Sequence, residues 1–235
     1  MRGWRCGTTL PIARVMTTDD PAERLAGVRE QIRRAADLAG RSDPIELIAI
    51  SKTHGVPAIT SLIAAGQHVF GENRVQEAQT KWPELIERHP ELRLALVGQL
   101  QSNKAVDAVA LFTQIHSIDR PSLVVALARA MERGRRPDCF VQVNIGDEAQ
   151  KGGCAIGDLP ALLADARAAD LPILGLMAVP PVGVEPAPYF ALLAKLARDN
   201  GIQGLSMGMS SDFATAVTLG ATHVRVGSAL FGARS

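Results

Sequence analysis

The first predicted strand of the chain reads Ile45-Glu46-Leu47-Ile48-Ala49-Ile50-Ser51-Lys52 and ends at a lysine. Its nearly continuous apolar character is typical of a parallel strand that is buried on both faces. A lysine at the rim of such a strand can lose its proton, because desolvation disfavours the ammonium form. A neutral lysine is a nucleophile toward aldehydes. The run therefore predicts an α/β fold and a reactive amine.

Seven similar runs follow, and helical patterns separate them. The further predicted strands are 68–71, 93–98, 113–118, 139–145, 173–179, 203–207 and 222–227, and the predicted helices are 21–38, 57–65, 75–88, 103–111, 121–133, 157–169, 187–200 and 211–219. Strand followed by helix, repeated eight times, predicts a single (β/α)8 TIM barrel. The main alternative is a doubly wound open sheet, but its G-x-G-x-x-G turn is absent after the first strand.

Composition excludes several classes of protein. The net charge of +1 argues against a surface for nucleic acid or an anionic membrane, and no apolar stretch approaches the roughly 20 residues that span a bilayer. Three cysteines, Cys6, Cys139 and Cys154, are too few and too scattered for a disulfide framework or a zinc site. We expect a cytoplasmic protein that holds no metal and is a monomer, because no large exposed apolar stripe is evident.

Residues 1–18 lack the apolar core of a secretory signal. Met16 directly precedes Thr17-Thr18-Asp19-Asp20-Pro21, an ordinary helix entry. We expect residues 1–18 to be a disordered N-terminal extension and residues 19–235 to form the barrel domain.

Two strand-to-helix turns are rich in glycine and serine. They are Leu205-Ser206-Met207-Gly208-Met209-Ser210 and Val224-Arg225-Val226-Gly227-Ser228. In TIM barrels the reactive groups gather at the carboxyl ends of the strands, and phosphate is often held after strands seven and eight. Small residues let the backbone approach an anion, and serine hydroxyls add donors. The pattern predicts a phosphate cradle at the same end of the barrel as Lys52.

Each of these features has a simpler interpretation. Ser210, Ser211 and Asp212 could do no more than cap the next helix, and most strand-end lysines extend into water. Arg225 lies within a strand that is predicted to be buried on both faces, where a guanidinium demands partners. It could pair with a carboxylate or face a ligand's ring nitrogen or phosphate. A barrel that binds some other phosphorylated metabolite, with Lys52 as a bystander, stays open.

Further motifs stand in a fixed order along the chain. They are Ile48-Ala49-Ile50-Ser51-Lys52-Thr53, Phe70-Gly71-Glu72-Asn73-Arg74-Val75-Gln76-Glu77, Val97-Gly98-Gln99-Leu100-Gln101-Ser102-Asn103-Lys104, Ile115-His116-Ser117-Ile118-Asp119, Val141-Gln142-Val143-Asn144-Ile145, Gly175-Leu176-Met177-Ala178 and the stretch 205–232. In these motifs and their spacing the chain resembles the pyridoxal 5′-phosphate homeostasis proteins. The resemblance implies a fold-type III barrel like the N-terminal domain of alanine racemase, with pyridoxal 5′-phosphate (PLP) as cofactor.

The resemblance also implies nine cofactor-binding residues: Lys52, Asn73, Ser206, Met207, Met209, Ser210, Arg225, Gly227 and Ser228. By it, Lys52 forms the internal aldimine, Arg225 addresses the pyridine nitrogen and the two glycine-serine turns hold the phosphate. Ser206 and Met207 line the same wall, and Asn73 closes the pocket beside the ring. The alternative for Asn73 and Glu72 is turn formation and capping.

Two segments depart from the family pattern. The chain has Arg93-Leu94-Ala95-Leu96-Val97-Gly98-Gln99 where the family usually shows a Trp-His-Phe-Ile-Gly-like segment, which affects packing near strand three. In Gln150-Lys151-Gly152-Gly153-Cys154 the family's lysine has altered neighbours. Lys151 could be a second, weaker cofactor contact, but we expect a solvated loop lysine.

Racemases of this kind need a second acid or base on the opposite face of the substrate. In the two-domain racemases it is a tyrosine supplied with help from a C-terminal β-domain; here the only tyrosine, Tyr189, lies beside a helix, and we expect no second domain. An arginine at the pyridine nitrogen also weakens the ring as an electron sink. We expect a protein without catalytic residues that buffers PLP or delivers it transiently to apo-enzymes, and so affects vitamin B6 and amino-acid balance. The alternative is a PLP-dependent amino-acid racemase or lyase of low activity, with Cys154 or His223 as the second base.

Overall fold

The computed structural model describes residues 20–132 and 134–232, and within them eight parallel strands close into a barrel. The strands are Glu46–Ile50 (β1), Val69–Glu72 (β2), Arg93–Leu96 (β3), Gln114–Ile118 (β4), Asp138–Gln142 (β5), Ile173–Met177 (β6), Gly204–Ser206 (β7) and His223–Val226 (β8). Each pairs with the next, and β8 pairs with β1. The predicted (β/α)8 barrel is confirmed. The expected N-terminal extension, residues 1–18, lies outside the described residues.

Helices follow every strand, and one precedes the first. They are Pro21–Leu38 (α1), Val56–Ala64 (α2), Val75–Lys81 (α3), Pro83–Arg88 (α4), Ala105–Leu111 (α5), Pro121–Met131 (α6), Leu159–Ala168 (α7), Ala187–Asp199 (α8), Phe213–Thr218 (α9) and Ser228–Phe231 (α10), with short 3₁₀ helices at Ser102–Lys104 and Ile156–Asp158. The helix predicted over 75–88 is interrupted at Trp82, because Pro83 fits the first position of a new helix and not the interior of an old one.

The first helix completes the outer layer of the barrel. The helix α10 has only four residues, so it leaves β8 without a full covering helix. The helix α1 packs against α2, α9 and α10 and buries Leu25, Val28 and Ile32 there. Nε of Arg24 donates to the carbonyl oxygen of Leu230 over 2.7 Å, which ties the two helices together. An element from the start of the chain thus supports the turn after the last strand.

The strands alternate between two environments. Along β1, Leu47 and Ala49 join the large apolar cluster formed with the helices, whereas Ile48 and Ile50 join a small cluster with Val69 and Ala95. This period of two is expected of strands. Polar side chains from β4, β7 and β8 are also buried, namely Gln114, His116, Ser206, His223 and Arg225. A barrel with buried polar groups in its interior can present some of them to a ligand at its rim.

No helix among the described residues is both long enough and apolar enough to cross a membrane.

Candidate functional site

A cavity of about 470 Å³ opens at the carboxyl ends of the strands. Its lining consists of Ile50, Lys52, His54, Asn73, Val97, Val179, Met209, Ser210, Ser211, Arg225, Gly227, Ser228 and Gly232. Seven of the nine predicted cofactor-binding residues are therefore brought together from the loops after β1, β2 and β7 and from the end of β8. The other two, Ser206 and Met207, are fully buried and lie outside the lining.

Lys52 sits in a tight turn between β1 and α2. The turn is closed by a hydrogen bond of 3.1 Å from the amide of His54 to the carbonyl oxygen of Ser51. Lys52 is half-buried, and the structure gives it no hydrogen bond or ion pair with another described residue. Its amine therefore lines the cavity uncommitted and is available to a ligand.

Arg225 is buried at the base of the cavity, with 5% of its surface exposed. Its Nη1 donates to Oγ of Ser206 over 2.5 Å, and its Nη2 donates to the carbonyl oxygen of Ala178 over 2.9 Å. Burial lowers the pKa of Arg225 to about 10, although the charge of Asp212 acts in the opposite direction. The guanidinium is thus a cation at neutral pH, and these two contacts leave other N–H donors for a ligand.

The Ser206 contact begins a chain of hydrogen bonds that runs through the barrel. The Arg225 guanidinium donates to the hydroxyl of Ser206. Because the amide nitrogen of Gln114 donates to Glu46, Oε1 of Gln114 can only accept from Nε2 of His116, so Nδ1 of the neutral ring accepts the proton of the Ser206 hydroxyl over 2.8 Å. Nε2 of His116 then donates to Oε1 of Gln114 over 3.1 Å, and Gln114 donates to Glu46 over 2.9 Å. Burial, followed by the charges of His223 and Arg225, holds the pKa of His116 well below its usual value. His116 is therefore neutral, and the chain fixes its tautomer.

The turn after β7 requires glycine. Gly208 has φ +89°, and a Cβ there would lie 2.5 Å from Cβ of Ala216 and 2.9 Å from Cα of Phe213. Only glycine lets the backbone pack this closely onto α9. The hydroxyl of Ser210 accepts from the amide of Gly227 over 3.2 Å instead of capping α9, so it joins the two glycine-serine turns.

Two backbone amides beside these turns remain available. Ser228 and Ala229 open α10, and the first N–H groups of a helix have no partner within the helix. Of the two residues, Ser228 lines the cavity together with Ser210, so its amide and the hydroxyls of Ser210 and Ser228 belong to the same edge of the cavity. This group of donors suits an anion.

Asn73 lies just past β2 and is half-buried at the cavity. Its backbone packs against the end of the third strand segment, since a Cβ on Gly98 would lie 2.1 Å from the carbonyl oxygen of Asn73. The segment 93–99, which departs from the family pattern, therefore still supports the pocket wall through Gly98 and the lining residue Val97.

The residues considered as a second base lie away from the cavity lining. His223 is at the start of β8, at the opposite end of the barrel. Cys154 is buried, and burial raises the pKa of its thiol to about 12. Tyr189 is half-buried on α8.

Lys151, the possible second cofactor contact, also lies outside the cavity lining. It donates to the carbonyl oxygen of Pro180 over 2.9 Å and pairs with the carboxylate of Glu148, so it is not the solvated loop lysine that we expected.

His54 is a cavity residue that the sequence did not single out. It follows Lys52 by two positions, and its ring stacks on Phe231 with centroids 4.4 Å apart and an interplanar angle of 11°. Its position in the same turn as Lys52 could have indicated a place at the cavity, but its stacking partner, Phe231, is distant in the sequence and was not predictable.

A larger cavity of about 810 Å³ lies at the amino ends of the strands. Its arginines are engaged in structural contacts. Arg41 pairs with Asp43 at 2.5 Å, Arg93 pairs with Glu46, and Arg29 donates to the carbonyl oxygen of Gly66. In TIM barrels this face serves stability, whereas the opposite face carries the chemistry. The smaller cavity is therefore the candidate site.

Comparison with known proteins agrees with this choice. The family model described as the alanine racemase N-terminal domain matches residues 24–235. The chain is 42% identical over 222 residues to a pyridoxal phosphate homeostasis protein of Pseudomonas aeruginosa, covering 91% of this chain and 95% of that protein. It is 38% identical over 234 residues to the protein of that name in Escherichia coli K12, covering 92% and 97% of the two chains.

A solved structure is also similar. PipY of Synechococcus elongatus PCC7942, with PLP bound, shares 41% identity at a TM-score of 0.78, over 90% of this chain and all of that chain. Similarity of this extent over almost the full length of both chains shows a common family. The chain belongs to the alanine racemase N-terminal domain family and, within it, to the pyridoxal phosphate homeostasis proteins.

Proposed function

We propose that this protein binds PLP reversibly in the cavity beside Lys52, and that it buffers the cofactor or passes it to apo-enzymes that require it. The observation that carries the proposal is the sharing of one cavity by an uncommitted lysine amine, a buried arginine cation and two turns rich in amide and hydroxyl donors. The PLP bound to the related PipY supports it.

The residues of the cavity suit each part of the PLP molecule. The Lys52 amine would condense with the aldehyde to form an imine, releasing one water molecule. The hydroxyls of Ser210 and Ser228 and the first amides of α10 would hold the phosphate, and a remaining N–H of Arg225 would face the ring nitrogen. The cavity of about 470 Å³ falls within the range of about 300–1,000 Å³ that is common for small-molecule sites. Bound PLP supplies an electron sink for amino-acid chemistry.

The electrostatics favour a carrier over an efficient enzyme. Arg225 stays charged at neutral pH, so it opposes protonation of a ring nitrogen placed beside it and weakens the electron sink. Among the described residues, Tyr189, Cys154 and His223 lie outside the cavity lining, so none of them is placed to act as the second acid or base. We therefore propose a role in vitamin B6 and amino-acid balance without efficient turnover.

One observation favours a second candidate function, that of a racemase or lyase of low activity. The His54 imidazole lines the cavity, and its stacking on Phe231 holds the ring in place. His54 would then be the second base, in place of the predicted candidates Cys154 and His223. A slow activity that survives in the wild type and disappears in His54→Ala would support this function.

The test is reduction with borohydride after incubation with PLP, followed by mass spectrometry of peptides. We expect a visible absorption band that reduction abolishes, and a pyridoxyl adduct on Lys52. The variant Lys52→Ala should form neither, whereas the control Lys151→Ala, which removes a lysine outside the lining, should form both. An adduct at another residue, or a colourless wild type, would refute the proposal. Turnover of alanine or serine at ordinary enzymatic rates, about 1–1,000 per second, would refute the carrier role.

We also propose that the protein acts as a monomer in the cytoplasm. The two cysteines within the described residues, Cys139 and Cys154, are free and buried, as suits a reducing compartment. Sedimentation of the PLP-loaded protein should give the mass of a single chain.

A further inference from the structure

The turn that carries Lys52 has an unusual backbone. Thr53 has φ +66°, in the left-handed region, where a β-branched residue is an outlier. Since the amide of His54 bonds to the carbonyl of Ser51, Thr53 is the third residue of a four-residue turn. A positive φ at this position is typical of a type II turn, which usually places glycine there. Something outside the turn must therefore hold Thr53 in this conformation.

The carboxylate of Glu77, on α3, contacts the strained residue directly. Its Oε1 accepts a hydrogen bond of 2.8 Å from the amide of Thr53 and another of 2.8 Å from Nζ of Lys81. Burial alone would raise the pKa of Glu77, but these two hydrogen bonds, together with the charges of Lys81 and Arg74, outweigh burial and lower it. Glu77 is therefore an ionised acceptor that fixes the direction of the Thr53 amide.

Lys81, one turn further along α3, holds both ends of the same turn. Its Nζ donates to the carbonyl oxygens of Ser51 over 3.0 Å and His54 over 3.3 Å. The charge of Lys81 is compensated by the fully buried carboxylate of Glu72, whose Oε1 lies 2.6 Å from Nζ of Lys81. Glu72 in turn accepts from the hydroxyl of Ser51 over 2.8 Å. Lys81 is 11% exposed, so this is a desolvated cluster and not a surface ion pair.

We propose that Glu72, Glu77 and Lys81 are positioning residues, which impose the strained turn and thereby direct the amine of Lys52 into the cavity. None of the three lines the cavity, so they act through the backbone of the turn. The inference rests on the proposed function in one respect only, that Lys52 is the residue that binds PLP.

The cluster of Glu72, Glu77 and Lys81 should determine which fraction of the cofactor-free protein is competent to bind PLP. A non-glycine residue relaxes out of the left-handed region when nothing holds it there. If the turn without Glu77 is in the strained form about one tenth of the time, the apparent affinity for PLP falls about tenfold, because the apparent dissociation constant is the intrinsic one divided by the competent fraction. Glycine at position 53 removes this penalty, because it tolerates positive φ.

The first experiment uses protein without cofactor. Amide hydrogen exchange at Thr53 should be at least tenfold faster in Glu77→Ala than in the wild type. The control Gln79→Ala, an exposed residue of the same helix, should exchange as the wild type does. Equal exchange in Glu77→Ala and the wild type would refute the inference, whatever the protein does with PLP.

The second experiment measures PLP affinity from the visible band in a double-mutant cycle. Glu77→Ala should weaken binding about tenfold when Thr53 is present and less than threefold in the Thr53→Gly background. Glu77→Gln, which keeps a neutral acceptor oxygen, should lie between Glu77→Ala and the wild type. An equal loss in both backgrounds would show that Glu77 acts by some route other than the strained turn and would overturn the inference. Failure of the wild type to form an adduct at Lys52 would instead overturn the proposed function, and the exchange experiment would still decide the role of the cluster.

Lys81→Met leaves Glu72 buried without its cation, so it could fail to fold for reasons unrelated to the turn. The double variant Glu72→Gln with Lys81→Met removes both charges. If it folds, its Thr53 amide should exchange faster than in the wild type, and unchanged exchange would argue against Lys81 as a positioning residue.

Discussion

Acidification should destabilise this protein in a pH range where surface carboxylates are still ionised. His116 is fully buried, and burial holds its pKa well below the usual value; His223, also buried, has a pKa lowered chiefly by burial and raised in part by Glu46. In the unfolded chain both should titrate near 6.5. Below that pH the unfolded state binds protons that the folded state does not bind, so the free energy of unfolding falls as pH falls.

The size of the effect follows from this difference. Each histidine that stays neutral in the fold lowers the free energy of unfolding by about 1.4 kcal/mol per pH unit below 6.5, or about 2 kcal/mol by pH 5. For a chain of this length that corresponds to a loss of roughly 4–8 °C in Tm. Carboxylates with lowered pKa, such as Glu77 and Asp43, lose their contribution only at lower pH, because unfolded carboxyls titrate near 4.

Urea denaturation at pH 5, 6 and 7 measures the slope. His116→Gln should unfold more easily than the wild type at pH 7, because two hydrogen bonds are disturbed, yet it should lose about 2 kcal/mol less between pH 7 and pH 5. The control His68→Gln, at an exposed position, should keep the wild-type slope. A His116→Gln slope equal to that of the wild type would show that His116 accepts a proton in the fold, and the hydrogen-bond chain through Ser206 and Gln114 would then be wrong.

Two further predictions concern the glycine-serine turns. Gly208→Ala should lower the free energy of unfolding by about 2–5 kcal/mol, the sum of a left-handed penalty and overpacking, whereas Gly40→Ala, with φ +64° but nothing within 4 Å of a Cβ, should cost about 1–2 kcal/mol; equal costs in urea denaturation would refute the close packing on α9. Ser210→Ala should weaken binding of PLP on the order of fivefold but leave binding of pyridoxal, which lacks the phosphate, unchanged. Equal losses for both ligands would place Ser210 away from the phosphate.

The positions of the strands could be predicted because parallel strands inside a barrel are continuous apolar runs. The first predicted strand, 45–51, contains β1, Glu46–Ile50, and the last, 222–227, contains β8, His223–Val226. The helix α1 was also predicted with its observed bounds, but its role in covering α10 was not. That role depends on the shortness of the last helix, a feature with no apolar period to detect.

The residues of the site were predictable only where they belong to local motifs. Lys52 and the glycine-serine turns are short patterns, and the barrel fold itself brings them to one rim. The series of hydrogen bonds that links Arg225 to Glu46 was not predictable, because His116 and Ser206 are 90 residues apart and meet only across the barrel. The same holds for Lys81, whose partners at Ser51 and His54 lie on a different element.

The compensation of charge differs between the two ends of the barrel, and this difference indicates what the site should bind. At the amino ends, Arg41 and Arg93 each pair with a carboxylate. At the carboxyl ends, Arg225 is buried, and its hydrogen bonds to described residues go to a hydroxyl and a carbonyl oxygen, with Asp212 contributing only through its field. A buried cation without a bonded carboxylate is costly, so an anionic ligand that reaches this cavity should stabilise the fold in addition to occupying the site. Binding to the folded state alone raises the free energy of unfolding by about 2.7 kcal/mol at a ligand concentration of 100 times Kd, and an added phosphorylated aldehyde should therefore raise Tm more than inorganic phosphate does.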